Sequence, residues 1–439
     1  MGVAQAMLLS KLKLKPQIFE GRTDLRGRQS AGGRSINLTL AHRAFATFDA
    51  LGITDEVRSI CVKCRGRYFH GTDGSVRYHP YGPRDEDALY AVSRMGLLRK
   101  LLEIADRDPG LQFAFTHRAV SIDLSGSPRL SIDRPEGGDP YQLQVDRIIG
   151  ADGQSSVARS VLLQDPSYDL HVRYAPVLYR EVSLPLAKRG ETPLPADGLH
   201  IWPRGEVILV AIPNLDGGHT GSLFLPIEGP HGFNAARDRA GLRRLFRELF
   251  PDIENRVPSL EFDFFHRPAS VLCSVVINRV HRGGEVVLVG DAARSVVPYL
   301  GQGLNAGLED ALQLFRALER NDLAFGKAFA EYNEARVPDN YALQELAFAH
   351  YEELAVKGAQ QDYIVRKQLE RTVQELMPKE FESLYSMVSF SARPYAECAR
   401  LAAKQERVLT RLLSRPGIVE RMGTPGFKQE ALEVLQTVQ

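Results

Sequence analysis

"GDAARSVVPYLGQGLNAGLEDA", residues 290–311, is the stretch from which the fold of this chain can be read. The apolar run "EVVLVG" at 285–290 reads as a buried strand that delivers Asp291 at its end. A loop rich in Pro and Gly follows, and a helix is expected to begin close to Leu304 and Asn305. The first turn of such a helix leaves N–H groups without backbone partners and carries the positive end of the helix dipole. Loop and helix start together therefore suit a ligand with negative charge.

Two other segments have the same character. "GADGQSSVAR" (150–159) follows the strand "QVDRIIG" (144–150) and makes a tight Gly-Asp-Gly turn, with Asp152 in it, before a helix. Taken alone it is equally well an Asp-Gly turn without a ligand. At the beginning, "MGVAQAMLLSKLKLKPQIFEGRTD" (1–24) reads as a helix over 4–12 and a short strand over 16–20 ending in Glu20. An acid after the second strand of a dinucleotide unit can hold a ribose hydroxyl. Gly2 takes the place of the last glycine of G-x-G-x-x-G. The first strand and two earlier glycines of a standard unit, roughly fifteen to twenty residues, would precede Met1. A chain starting at Met1 is expected to fold poorly and to hold its dinucleotide weakly.

Between these segments, a loop rich in Arg, Gly and Ser (21–35) leads to "INLTLAHRAFATFDALGI" (36–53), where a new helix is expected. Hairpins are expected over about 64–90, and an amphipathic helix over 94–107. The runs "VLYREVSL", "GLHIWPR", "EVILVAIP" and "GSLFLPI" alternate as strands, interrupted by one helix at 236–250. The expected architecture is α/β. A Rossmann-like domain takes 1–165 and 276–335, a mostly antiparallel, sheet-rich substrate domain is inserted at 166–275, and a helical region runs over 336–439.

Composition narrows the function. The 439 residues are 44% hydrophobic and 25% charged, ordinary values for a globular protein. With 55 basic and 54 acidic residues the net charge is +1, which gives no general attraction to nucleic acid. No run reaches the ~18 apolar residues of a membrane span, and no secretory signal is visible. The four cysteines are too few for a disulfide scaffold, so a reducing, cytoplasmic setting is expected. The lone "CVKC" at 61–64 reads as ordinary thiols rather than as a metal or redox centre.

The three segments, in this order, resemble the G-x-G-x-x-G, D-G and G-D motifs of the group A flavoprotein aromatic hydroxylases. "GRSINLTLAHR", "HIWPRGEVILVAIPN", "GQGLNAGLED" and "MPKEFESLYSMVSFS" narrow the resemblance to the kynurenine 3-monooxygenase family, from Gly2 to about Tyr395. That resemblance implies FAD as cofactor and NADPH as reductant. The FAD contacts would fall on Gly2, Glu20, Arg22, Thr39, Arg94, Ala119, Asp152, Asp291, Leu304 and Asn305, with Asp152 also touching the nicotinamide. Substrate contacts would fall on Arg67 in "CRGRYFH", Tyr81 in "HPYGP", Tyr385, His350 and Tyr299. A guanidinium can hold an amino-acid carboxylate in bidentate geometry while a phenol adds a hydrogen bond, which suits Arg67 and Tyr81 to that role.

The reaction so implied is 3-hydroxylation of L-kynurenine with O2, through a flavin C4a-hydroperoxide whose terminal oxygen adds to the ring ortho to the amine. Three positions depart from the family pattern: Arg294 stands for His, Tyr299 beside Leu300 for an aromatic Phe, and His350 for a substrate-contacting Asn. They keep open a substituted kynurenine or another aromatic acid as substrate, and a non-catalytic paralogue as a further reading. After Tyr395 the chain continues as a helix studded with Arg and Lys, without a hydrophobic anchor.

Overall fold

The computed structural model describes residues 1–438 apart from 27–35, 83, 135, 187–192, 268 and 355–360. Much of the loop expected over 21–35 therefore lies outside the described residues.

The helix Gly2–Lys11 buries every residue from Val3 to Leu9, as an apolar helix against a sheet should. It leads to the strand Gln17–Glu20, which pairs in parallel with Gln112–Phe115. Ile148–Gly150 pairs in parallel with Val286–Leu288, whose three residues are fully buried, as in strands covered on both faces. Gly150 has to be glycine: a Cβ there would lie 2.5 Å from Ala158 Cβ and 2.8 Å from Leu288 Cδ2. The helix Gly303–Arg320 packs beside these strands and against the helices Gly2–Lys11 and His42–Leu51.

Three local expectations are corrected. The run 36–53 does not open as a helix. Asn37–Leu40 is a strand, paired antiparallel with Leu89–Ser93, and only His42–Leu51 is helical, because the alternating N-L-T-L stretch finds a sheet partner. The strand expected over 144–150 is broken: Tyr141–Gln144 joins a three-stranded antiparallel sheet, while Ile148–Gly150 joins the parallel one. The sheet-rich region holds a second helix, Leu260–His266, beside the expected one at Arg239–Leu249.

The large sheet has eight strands in the order Val76–Pro80, Gly66–His70, Gly198–Arg204, Val207–Pro213, His219–Pro226, Leu170–Leu184, Ser270–Ile277 and Arg294–Ser295. All neighbours are antiparallel except Gly66–His70 with Gly198–Arg204. Alternation along the strands separates two faces. Val207, Leu209 and Ala211 pack with Trp202, Phe246, Phe250 and Phe264 against the two helices. Ile208, Val210 and Ile212 point the other way, toward Phe224, Tyr351 and Tyr385. The C-terminal helices Gln361–Leu376, Tyr395–Leu413 and Phe427–Thr437 share a separate core around Leu369, Val408 and Phe427. Among the described residues no helix is long and apolar enough to cross a membrane.

The covered face of the sheet contains His70, His200 and His219, all buried. His70 Nε2 and His200 Nδ1 are 2.9 Å apart, and His200 Nε2 lies 2.8 Å from the Pro195 carbonyl. Burial drives His200 down to about 3 and His219 down to about 4. Both rings stay neutral in the fold at a pH where the unfolded chain takes up protons, so they lower stability as pH falls below about 6.5. Unfolding by urea at stepped pH should show the midpoint dropping between pH 6.5 and 4. Each histidine should contribute on the order of 3 kcal/mol to that drop. A His219→Gln variant should have a shallower pH dependence than the parent.

Candidate active site

The segment 290–311 is anchored by a buried set of charges. Asp310 receives Gly290 N at 3.0 Å, Arg294 Nη1 at 3.0 Å and Arg336 Nε at 2.8 Å. Glu309 is paired with Arg43 at 2.7 Å and with Arg336 at 3.1 Å, and Arg336 reaches Asp339 at 3.1 Å. Asp339 in turn receives Ala396 N at 2.9 Å, and the Arg43 guanidinium sits 4.0 Å from the centre of the Tyr395 ring. Burial works against the charge of Arg336, but Asp310, Glu309 and Asp339 hold its pKa well above the usual value. Arg294, the departure from the family His, is thus a buried structural cation.

Gly290 adopts φ 61°, and a Cβ on it would come within 3.0 Å of Met1 Cγ, so the start of the helix Gly2–Lys11 meets the loop closely. Asp291 follows, accessible to solvent yet densely surrounded. Burial pushes its carboxyl up, while Arg294, the Met1 ammonium and Arg94 pull it down. Burial lowers the Met1 ammonium in turn, and Asp291, Arg94 and Glu20 are the charges it feels. Gly2, Glu20, Arg94 and Asp291 are therefore gathered around one point.

Arg22 is exposed beside them, and its backbone N–H donates to Glu20 Oε1 at 2.9 Å. The Glu20 carbonyl accepts from His117 N, which brings the strand Arg118–Asp123, and Ala119 with it, to the same edge. No side chain caps the helix Gly303–Arg320, so its first-turn N–H groups, Leu304 included, stay available. Acids for hydroxyl groups, a cation at Arg94 and an uncapped helix start fit an anionic dinucleotide such as FAD.

Two further expected contacts, Asn305 and Asp152, also have internal hydrogen-bond partners. Asn305 is fully buried: its Oδ1 accepts from Ala41 N at 2.7 Å, and its Nδ2 donates to the carbonyls of Thr39 at 2.9 Å and Gly301 at 2.8 Å. It staples the helix start to the strand carrying Thr39. Asp152 accepts from Val157 N, Ala158 N and Ser156 Oγ, at 2.7, 3.1 and 2.5 Å, and so supports the first turn of the helix Val157–Leu162, whose N-cap is Ser156. Arg159, which sequence reading did not single out, joins the two motif loops by donating to the carbonyls of Ala292 at 3.0 Å and Gln154.

On the open face of the large sheet, Arg67 is enclosed by aromatic rings. Its guanidinium carbon lies 3.7 Å from the centre of the Tyr385 ring and 5.2 Å from that of Tyr81. Those two rings stack at 5.5 Å. Among the described residues Arg67 forms no salt bridge, though it feels the charge of Glu353, and the buried Tyr81 hydroxyl has Arg67 and Tyr385 as its polar neighbours. His350 lies 6.0 Å from the Tyr385 ring and 3.2 Å from Glu353 Oε2; burial lowers its pKa while Glu353 raises it.

Leu199, Val210 and Ile212 form an apolar wall beside Tyr81 and Tyr385. Phe224, Tyr299 and Tyr351 form an aromatic cluster further along, the Tyr299 ring 4.4 Å from Tyr351 and 5.1 Å from Phe224. The structure thus brings Arg67, Tyr81, Tyr385 and His350 together, with Tyr299 at some remove. The wall and Phe224 were missed from sequence because strand alternation does not say what each face meets. Cys61 and Cys64 are free thiols whose pKa burial pushes up to about 12.

Comparison with known proteins bears on the family and the fold. The family model described as FAD binding domain matches residues 253–338. Kynurenine 3-monooxygenase of Flavobacterium johnsoniae is 32% identical over 435 residues, spanning 99% of this chain and 96% of that protein. The Anopheles gambiae and Sus scrofa enzymes of the same name are 32% and 31% identical, over 94% and 96% of this chain and 84% and 89% of their own lengths. Among solved structures, the tetrameric form of 2-methyl-3-hydroxypyridine-5-carboxylic acid oxygenase aligns with a TM-score of 0.64 at 20% identity, covering 82% of this chain and 90% of that one. A Klebsiella pneumoniae protein solved with FAD and uric acid aligns at 0.65 and 18%, covering 96% and 94%. These two likenesses establish the shared fold.

Two substitutions separate the anchor from the support that Asp152 gives its helix. Asp310→Asn, which strips a buried carboxylate from two arginines, should cost about 3 kcal/mol or more of stability. Asp152→Ala, which removes an acceptor from the first turn of a helix, should cost about 0.5–2 kcal/mol. Urea denaturation read by circular dichroism measures both, and an equal cost for the two would contradict the ranking.

Proposed function

The chain belongs to the kynurenine 3-monooxygenase family of FAD-dependent hydroxylases, and from that premise we propose that it hydroxylates L-kynurenine or a closely related aromatic amino acid, with NADPH as reductant. The observation that carries this reading is Arg67: a guanidinium enclosed by Tyr81 and Tyr385, with no carboxylate paired to it among the described residues. An enclosed cation without a counter-ion is a receptor for an anionic ligand group, here the substrate carboxylate.

Bound FAD, held by Glu20, Arg94, Asp291 and the start of the helix Gly303–Arg320, supplies the activation of O2 that side chains cannot provide. The residues of the chain do the positioning. Arg67 takes the carboxylate in bidentate geometry, and the buried Tyr81 hydroxyl beside it donates a hydrogen bond to the same group. Tyr385 covers the guanidinium and keeps it from water, which strengthens the charge interaction. Leu199, Val210 and Ile212 wall the space beside them, excluding water and fixing the plane of an aromatic ring. A related flavin hydroxylase acting on a different aromatic acid is the second reading, favoured by the hydroxyl that Tyr299 adds to the aromatic cluster.

Purified protein should be yellow, and kynurenine should accelerate NADPH oxidation with formation of a product heavier by one oxygen. Protein that cannot be charged with FAD, or NADPH oxidation indifferent to every aromatic amino acid, would sink the proposal. Arg67→Ala should weaken kynurenine binding by a factor of about fifty or more, measured as KM and by calorimetry. Its flavin spectrum should not change.

A further inference from the structure

Tyr299 sits in the short 3-10 turn Pro298–Leu300, directly ahead of Gly301 at φ 68°. Its ring is wedged between Tyr351 and Phe224, and its hydroxyl is enclosed with no hydrogen-bond partner among the described residues. Burial raises its pKa, so the group is a neutral hydroxyl, able to donate or accept. An enclosed hydroxyl without a partner is destabilising, a penalty that phenylalanine in the same space would avoid.

The sheet supplies a ruler from Arg67 to this hydroxyl. Arg67 pairs with Leu199 and Phe69 with Ile201, while Ile201 pairs with Val210 and Ile208 with Phe224. Phe69 lies two residues beyond Arg67 on the same face, about 7 Å along the strand. Phe69, Ile201, Ile208, Phe224 and Tyr299 belong to one cluster. Tyr299 therefore stands along the same face as Arg67, away from the carboxylate receptor, where an amino acid anchored at Arg67 and lying along this face would bring its ring.

We propose that the Tyr299 hydroxyl selects substrates whose aromatic ring carries a hydrogen-bonding substituent, a ring-hydroxylated kynurenine being the type, over those with an apolar substituent at the same position. The proposal rests on the reading of Arg67 as the carboxylate receptor. The substrate's hydroxyl provides the partner that the fold does not, and a methyl group of similar size leaves the Tyr299 hydroxyl unpaired. Sites built around such a hydrogen bond reject the analogue that lacks it far better than apolar pockets reject an extra methylene.

The test uses the FAD-loaded enzyme with kynurenine and its hydroxy and methyl derivatives, each free ring position being taken in turn. Dissociation constants come from calorimetry and kcat/KM from product formation. The parent protein should prefer hydroxy over methyl at one position by about tenfold or more, and Tyr299→Phe should bring that ratio close to one while thermal stability is kept or raised. An unchanged ratio in Tyr299→Phe overturns the proposal. So does an equal loss for all derivatives, which would put the hydrogen bond on the common skeleton. Arg67→Ala serves as the separate control: if it binds every derivative as the parent does, the carboxylate reading fails, while the Tyr299 ratio is still read independently.

Discussion

The architecture hangs on Asp310. Its carboxylate, almost fully buried, receives one backbone N–H from the loop at Gly290 and the guanidinium groups of Arg294 and Arg336. Neighbouring Glu309 extends the set to Arg43. Charges at this depth are tolerable only when paired, so each pair fixes the distance between the elements that carry it. Here those elements are the helices His42–Leu51, Gly303–Arg320 and Phe325–Glu352, together with the loop carrying Asp291. Through Asp339 and the Tyr395 ring the C-terminal region is tied to the same point. The loop carrying Asp291, near which Gly2, Glu20 and Arg94 gather, is thus fixed by an electrostatic constraint beneath it.

Against this background Arg67 is the contrasting case. Arg43, Arg294 and Arg336 are enclosed and each has a carboxylate partner. Arg67 is enclosed by Tyr81 and Tyr385 and forms no ion pair among the described residues. The same side-chain chemistry is paired with carboxylates in one place and enclosed by aromatic rings in another. The large sheet makes that division workable. One face is filled by Trp202, Phe246 and Phe250, which leaves the other to form a wall of Leu199, Val210 and Ile212 beside Tyr81 and Tyr385.

Features encoded by neighbouring residues were legible in the sequence. The strand ending at Asp291, the glycine loop and the helix beginning at Gly303 lie within one short segment, and turn chemistry and capping rules apply directly to it. The split of 36–53 into strand and helix was not legible, because Asn37–Leu40 becomes a strand through pairing with Leu89–Ser93, which is distant in the chain. For the same reason, "GLED" gave no hint that its two acids would meet Arg43, Arg294 and Arg336. Nor did the sequence show the internal bonds of Asp152, to the first turn of the helix Val157–Leu162, and of Asn305, to the strand carrying Thr39.

By itself the sequence determined the class of the protein: an α/β dinucleotide-binding unit with an inserted sheet, and a motif set shared with flavin hydroxylases. Local hydrogen-bonding needs and strand periodicity suffice for that, since they act over a few residues. Only the tertiary structure decided which cations are paired with carboxylates and which are enclosed by aromatic rings, and which hydroxyl groups are enclosed without a partner. Pairing and burial depend on residues brought together from separate parts of the chain, as Arg67, Tyr81 and Tyr385 are. No pattern read along the chain contains that distance.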